Sequence, residues 1–245
     1  AQEAARALKA RRMAVQTFDQ FTVNPDSTMV EAGRDAAAPH NIDLIVAVGG
    51  GSSMDCAKAI NFLLTNGGKM RDYWGYGKAA QPLLPMIAVP TTAGTGSEAQ
   101  SYTTITDSET GARMACGDRK AVFQVAVLDP KLTVSQPASL AASSGYDALS
   151  HALETLVTTR QTALSDCFSR SAWRLINSGL EGMIANPADL GARGELLIGA
   201  HFGGLAVENS ALGAAHACAY PLTAHFGVPH GVAISVVLPA VVEWN

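Results

Sequence analysis

The segment IDLIVAVGGGSSMD, residues 42–55, constrains the fold of this chain more than any other. Apart from Asp43, its first seven residues form an apolar run of strand length, which suits a parallel strand covered on both faces. Gly49, Gly50 and Gly51 end the run. A helix is predicted from Ser52 through Leu64, with Ser52 or Ser53 as N-cap and Asp55 in the favourable first turn. A second strand, residues 86–89, runs into Pro90 and a polar loop over residues 91–98. Strand, glycine loop, helix, strand is βαβ order and implies a parallel sheet. Upstream, the pattern predicts an opening helix, a strand over residues 13–21, an Asn24-Pro25-Asp26 turn and a helix over residues 28–37.

The second half follows helical periodicity. Helices are expected over residues 141–158, 163–177 and 191–209, separated by breakers at Asn186-Pro187 and Gly213. Residues 233–237 are assigned to a helix as well, because His230-Gly231 looks like a helix start. A boundary near Pro137 then divides the chain into an α/β unit over residues 1–137, with a parallel sheet, and an all-helical unit over residues 138–245.

Composition removes several classes of function. The 245 residues are 48% hydrophobic, enough for a sizeable core, and carry a net charge of −4. That acidity, with no Lys/Arg run, argues against a nucleic-acid partner. No apolar stretch reaches the roughly 18 residues of a membrane helix; the longest, residues 232–242, is interrupted by Ser235 and Pro239. Cys56, Cys116, Cys167 and Cys218 form no CxxC pair, so reduced thiols and a cytoplasmic location are expected. No signal peptide is visible in the polar, basic opening residues. A soluble globular protein is the expectation.

Two loops carry the first chemistry. Glycines between a buried strand and a helix N-terminus let backbone N–H groups approach an anion, and the helix dipole favours it; pyrophosphate is the natural ligand. In PTTAGTGSE, the hydroxyls of Thr91, Thr92, Thr95 and Ser97 also follow a strand directly. Ligands of open α/β sheets sit at that edge. A tight turn and a polar surface loop are the plainer alternatives. The second half adds possible metal ligands. Asp147 and His151 are four apart on a predicted helix and share one face. His216, His225 and His230 crowd one short segment further on. Three imidazoles and a carboxylate would suit Zn²⁺ or Fe²⁺.

Taken in order, VAVGGGSSMDCAKAI, PTTAGTGSE, DALSHALE and HACAYPLTAHFGVPHG resemble the iron-containing (group III) alcohol dehydrogenases over nearly the whole chain. The resemblance implies a dinucleotide-binding α/β domain, residues 1–137, followed by an all-helical metal-binding domain, residues 138–245. It implies Asp147, His151, His216 and His230 as ligands of Fe²⁺, or of Zn²⁺, and leaves His225 outside the set. The cofactor residues it implies are Asn24, Gly50, Gly51, Ser52, Asp55, Thr91, Thr92, Thr95 and Arg113, holding NAD or NADP. The implied reaction is hydride transfer between a primary alcohol or aldehyde and the nicotinamide, with the metal as Lewis acid. A homo-oligomer acting on small molecules is expected.

The chain departs from the family in three respects. Where the family usually has a further His four residues after the first ligand of the His-rich segment, this chain has Tyr220. Tyr220 is the catalytic candidate at that position, a poorer proton exchanger than imidazole. The family's cofactor-contacting Lys is replaced by Arg113, which keeps the charge and changes its geometry. The chain also starts after the family's first strand and stops where further helices would follow, so a truncated form is expected. Three alternatives stay open: a glycerol dehydrogenase, a dehydroquinate synthase-like relative, or a truncated chain that binds nucleotide without turnover. The two related enzymes use three protein ligands, so four candidate positions favour the alcohol dehydrogenases.

Overall fold

A computed structural model describes residues 2–245. The first half contains α1 (Gln2–Ala10), α2 (Ser27–Ala37), β1 (Ile45–Gly49), α3 (Gly51–Asn66), β2 (Gly75–Tyr76), β3 (Met86–Pro90), β4 (Tyr102–Thr106), β5 (Arg113–Gly117) and β6 (Val125–Ala126). The second half is helical: α4 (Ala138–Val157), α5 (Ala163–Ala185), α6 (Leu190–Glu208), α7 (Ala214–Phe226) and α8 (His230–Trp244). A parallel-sheet α/β region followed by a helical region is the expected fold class.

The parallel sheet has the order β1-β3-β6, with Ile45 opposite Met86 and Gly49 opposite Pro90. Both β1 and β3 therefore end at one edge, where the Thr91 N–H donates to the Gly49 carbonyl at 2.9 Å. A second sheet, β2-β5-β4, was not foreseen as such: β4 and β5 form an antiparallel hairpin, and β2 lies parallel to β5. Helix α3 sits between the sheets. Met54 and Ala57 pack with Ala47, Met86 and Ala88, while Ala59, Phe62 and Leu63 pack with Ile105 and Met114.

Three local expectations need correction. Residues 13–21 form no strand, because among the described residues no neighbouring strand pairs with them. The N-cap of α3 is Gly50 rather than a serine. Ser52 has a different partner, accepting a hydrogen bond from the Asn24 N–H at 3.1 Å. Asp55 falls beyond the first turn of α3, which holds no acidic residue. The His-rich segment, to which residues alone assign no element, forms a helix, α7, with Pro221 inside it. An interior proline removes a helix donor and reads as a breaker.

Side-chain caps explain two helix starts in the second half. Thr162 caps α5 in a reciprocal capping box with Ser165, and Asp189 accepts from the N–H groups of Gly191 and Ala192 at the start of α6. Helices α5 and α6 come very close because Gly179 lies against the Leu196 backbone and Gly199 against Ile176. Their shared core includes Ala172, Ile176, Leu196, Leu197 and Ala200.

Candidate metal and cofactor site

Helical geometry does the first part of the work. Residues four and seven apart fall within one narrow arc of an α-helix, so Asp147, His151 and Glu154 of α4 share a face. Helix α7 brings His216 to that face. His230 comes from the first residue of α8. Gly231 permits this approach, since a Cβ there would run into the Ser143 carbonyl of α4.

Asp147 Oδ1 is the centre of the cluster. His216 Nε2 lies 3.5 Å from it, His230 Nε2 3.6 Å and His151 Nε2 3.8 Å. These separations exceed a normal hydrogen bond. Asp147 Oδ1, His216 Nε2 and the far nitrogen of His151, Nδ1, are buried without a hydrogen-bond partner among the described residues. Buried polar atoms are normally satisfied, so an acceptor and an imidazole nitrogen left facing each other fit a cation between them. Ligand atoms of Asp147, His151 and His216 all lie within 4.8 Å of one another. His230 stands outside that set of three and reaches the cluster through Asp147.

The electrostatics agree with a cation site. Burial opposes ionisation of Asp147, yet His151, His216 and His230 hold its carboxyl down at about 2. Burial pushes His151 down to about 4, which keeps that imidazole neutral with a free lone pair. For His216 burial acts downward too, but Asp147 and Glu154 outweigh it and raise the group to about 9, so a cation entering beside Asp147 would displace the Nε2 proton.

The second half of the site is built from main chain. Gly50 caps α3 without a side chain, so the first N–H groups of that helix are left for another acceptor. A Cβ on Gly50 would lie 3.0 Å from Thr92 Oγ1, and one on Gly51 2.8 Å from Thr95 Cγ2. The glycine loop and the threonine loop are pressed together. Asn24, in the left-handed region at φ 56°, donates to Ser52 and brings its turn to the same place.

The threonine loop also touches the helical region. Gly94 lies against Ser144 of α4, three residues before Asp147, and Gly96 lies against Gly204 of α6. Between the β4–β5 hairpin and α7 runs an open groove of about 470 Å³, lined by Arg113, Ala217, Tyr220 and His225 among others. Tyr220 stacks on His230, with ring centroids 5.6 Å apart and planes 12° from parallel. The metal cluster and the glycine edge are thus joined through the threonine loop, and Tyr220 links the groove to His230.

Comparisons with known proteins settle the family. The pattern of the family described as "Iron-containing alcohol dehydrogenase" matches residues 1–130, and that of "Fe-containing alcohol dehydrogenase family, C-terminal" matches residues 141–245. The chain belongs to the iron-containing alcohol dehydrogenase family.

Among the relatives of this chain, the NAD-dependent methanol dehydrogenase of Bacillus methanolicus is 37% identical over 244 residues. That match covers 100% of this chain and 64% of the relative. The solved structure of a 1,3-propanediol oxidoreductase superposes with TM-score 0.96 at 34% identity, covering 100% of this chain and 64% of that one. The sulfoacetaldehyde reductase from Bifidobacterium kashiwanohense, solved with NAD+, gives TM-score 0.89 at 34% identity over 99% of this chain and 65% of that one. The chain therefore spans less than two thirds of the length of these family members.

In this family member the structure gathers Asp147, His151, His216 and His230, and separately Asn24, Gly50, Gly51, Ser52, Thr91, Thr92 and Thr95. Asp55 occupies a different position from the loop residues. Its carboxylate accepts from Ser97 Oγ at 2.8 Å and the Thr104 N–H at 3.2 Å, tying α3 to the loop's far end and to β4. Arg113 lies on β5, 3.4 Å from Thr106 Oγ1. His225 is exposed in the last turn of α7, away from the cluster. Two buried groups were missed by sequence reasoning. Lys58 donates to the carbonyls of Ser97 and Tyr102, both at 2.7 Å. Glu154 contacts His216 Nδ1 and was legible only as the third member of the Asp147/His151 face.

Proposed function

We propose that this chain provides the cofactor- and metal-binding parts of an oxidoreductase that moves a hydride between a primary alcohol or aldehyde and a nicotinamide cofactor. The observation that carries this reading is the buried, unpartnered Asp147 Oδ1 facing three imidazole nitrogens. Asp147, His151, His216 and His230 would hold Fe²⁺, with Zn²⁺ also suited to this donor set. NAD is the proposed dinucleotide, and NADP would meet the same loops. When bound, the metal supplies Lewis acidity toward the alcohol oxygen and the nicotinamide supplies the hydride acceptor.

The chain's own residues have simpler tasks. The N–H groups at Gly50, Gly51 and Ser52 would receive the pyrophosphate at the start of α3. Thr91, Thr92 and Thr95 would line the dinucleotide, Asn24 would border it, and Arg113 would place a positive charge at the open side. Asp55 would hold the loop in place through Ser97. Tyr220 would orient the ring of His230 by stacking. Residues 1–137 form the cofactor domain in this reading and residues 138–245 the metal domain.

No helix among the described residues is long and apolar enough to cross a membrane. We place the protein in the cytoplasm, as a homo-oligomer acting on small molecules rather than on nucleic acid or membrane. The looser placement of His230 favours a second reading, a relative with three protein ligands, as in glycerol dehydrogenase or dehydroquinate synthase. Protein purified without added metal should contain iron or zinc and reduce NAD with a panel of primary alcohols. Nucleotide binding without alcohol-dependent NADH formation would replace both readings with a non-catalytic one.

A further inference from the structure

Glu154 is buried at the junction of α4 and α7 and is doubly engaged. Its Oε1 accepts from the backbone N–H of Ala215 at 2.7 Å and that of His216 at 3.3 Å. Its Oε2 meets His216 Nδ1 in a short contact. The N-cap residue of α7, Gly213, has no side chain to satisfy those N–H groups. A Cβ at that position would lie 3.0 Å from Glu154 Oε1, so the glycine keeps room for the carboxylate.

We propose that Glu154 is a positioning residue for the metal site, capping α7 with one oxygen and fixing the proton of His216 on Nδ1 with the other. The proposal rests on the metal reading above. A carboxylate can only accept, so His216 must present an N–H from Nδ1, and Nε2, aimed at Asp147 Oδ1, is the nitrogen that yields its lone pair when a cation binds. One side chain from α4 thereby sets both the position of the α7 start and the tautomer of the imidazole that α7 contributes. An apolar residue at position 154 would leave helix N–H groups and Nδ1 without partners. A glutamine would keep the cap through its carbonyl but present an N–H₂ to Nδ1. The imidazole would then accept at Nδ1 and carry its proton on Nε2, pointing into the cluster. Turning the amide round would set its N–H₂ against two helix N–H donors, which is the worse arrangement.

Glu154→Gln is therefore the decisive variant. Zn²⁺ affinity, measured by competition with a chelator, should fall by roughly 10–100-fold, the usual cost of losing an outer hydrogen-bond partner of a ligand. The unfolding temperature of the metal-free variant should stay close to that of the wild type, whereas Glu154→Ala should lose affinity and unfolding temperature together. In ¹⁵N-histidine-labelled protein, the wild type should show a far-downfield Nδ1 proton on His216, with or without metal, and Glu154→Gln should lack it. A Glu154→Gln protein that binds Zn²⁺ within twofold of wild type overturns the proposal, as does a wild type without the Nδ1 proton. A wild type that takes up neither Zn²⁺ nor Fe²⁺ would end the metal reading instead, and the Nδ1 proton would still decide the role of Glu154.

Discussion

The edge of the parallel sheet and the cluster between α4, α7 and α8 are two solutions to holding a charged group. At the sheet edge the work falls to backbone: glycines without Cβ atoms, the uncapped start of α3, and hydroxyls packed against them. In the cluster it falls to side chains from three helices, with Asp147, His151 and His216 buried and a further buried acid, Glu154, behind them. Backbone donors need only a turn of the right shape. Side-chain ligands need each helix docked in register, which requires an organised core and capped helix starts. The first kind of site should tolerate side-chain loss and fail on side-chain gain. The second should do the reverse.

The sharpest break in that contrast would come from Asp147→Asn. Asparagine keeps the shape and removes the charge that faces three imidazoles, so metal affinity should fall by on the order of 100-fold or more, beyond the range for outer partners. NAD affinity, measured by fluorescence titration, should be nearly unchanged. Equal loss of both would show that the two sites are one cooperative unit. His230→Ala sharpens the same point, since full metal retention there would favour the three-ligand reading.

Lys58 tests whether the backbone-built site stands on backbone alone. This lysine is fully buried, and its ammonium holds two carbonyls of the segment that follows the threonine loop. Lys58→Met should destabilise the protein by about 2 kcal/mol, through carbonyls left without a donor, and loosen NAD binding. Burial also lowers the folded-state pKa of Lys58 from 10.5 to about 8. Between those values the unfolded chain holds a proton that the folded chain has released, so this group's contribution to stability rises with pH. The stability gap between wild type and Lys58→Met, followed by urea unfolding, should therefore widen from pH 8 towards 10.5. A gap that narrows would mean that the lysine keeps its proton when folded.

A smaller effect is expected at Gly51. A methyl group there would lie 2.8 Å from Thr95 Cγ2 and 2.9 Å from Thr95 Oγ1. Gly51→Ala should weaken NAD binding about tenfold, near 1.4 kcal/mol, with metal content intact. Adding Thr95→Ala removes the obstructing atoms and should recover most of the loss. No recovery would mean that Gly51 is needed for the approach of the ligand itself rather than for the fit of the two loops.

The same contrast explains what could be read from residues. The sheet edge is written in contiguous runs, because strand, glycine turn and helix N-terminus follow one another along the chain. The run ending at Gly49 and the loop after Pro90 were legible for that reason. In the helical region, Asp147 and His151 could be paired by helical spacing, but nothing local places His216 beside Glu154. Those two are 62 residues apart, and only the docking of α7 on α4 joins them. Residues alone assign no element to the α7 segment, and its interior Pro221 runs against a helical pattern. The strand expected over residues 13–21 failed for the converse reason: β-type residues make a strand only where a neighbour offers a ladder.

Tyr220 should give the smallest effect and separates packing from proton transfer. It stands where the family usually places a histidine, at the groove between the β4–β5 hairpin and α7, with its ring stacked on His230. Although part of the ring lines an open groove, desolvation by the surrounding protein pushes the hydroxyl up to about 12, and the charge of Asp147 acts the same way. A phenol so far from neutrality is a poor partner for proton exchange at pH 7, since exchange is best when the pKa lies near the working pH. Tyr220→Phe keeps the stacked ring and removes only the hydroxyl, so the rate of alcohol oxidation at pH 7 should stay within about twofold. Tyr220→His would test the opposite role, adding an inflection near pH 6.5 if an imidazole there can relay a proton. A drop of tenfold or more in Tyr220→Phe, about 1.4 kcal/mol of barrier, would place the hydroxyl in the proton path and end the packing account.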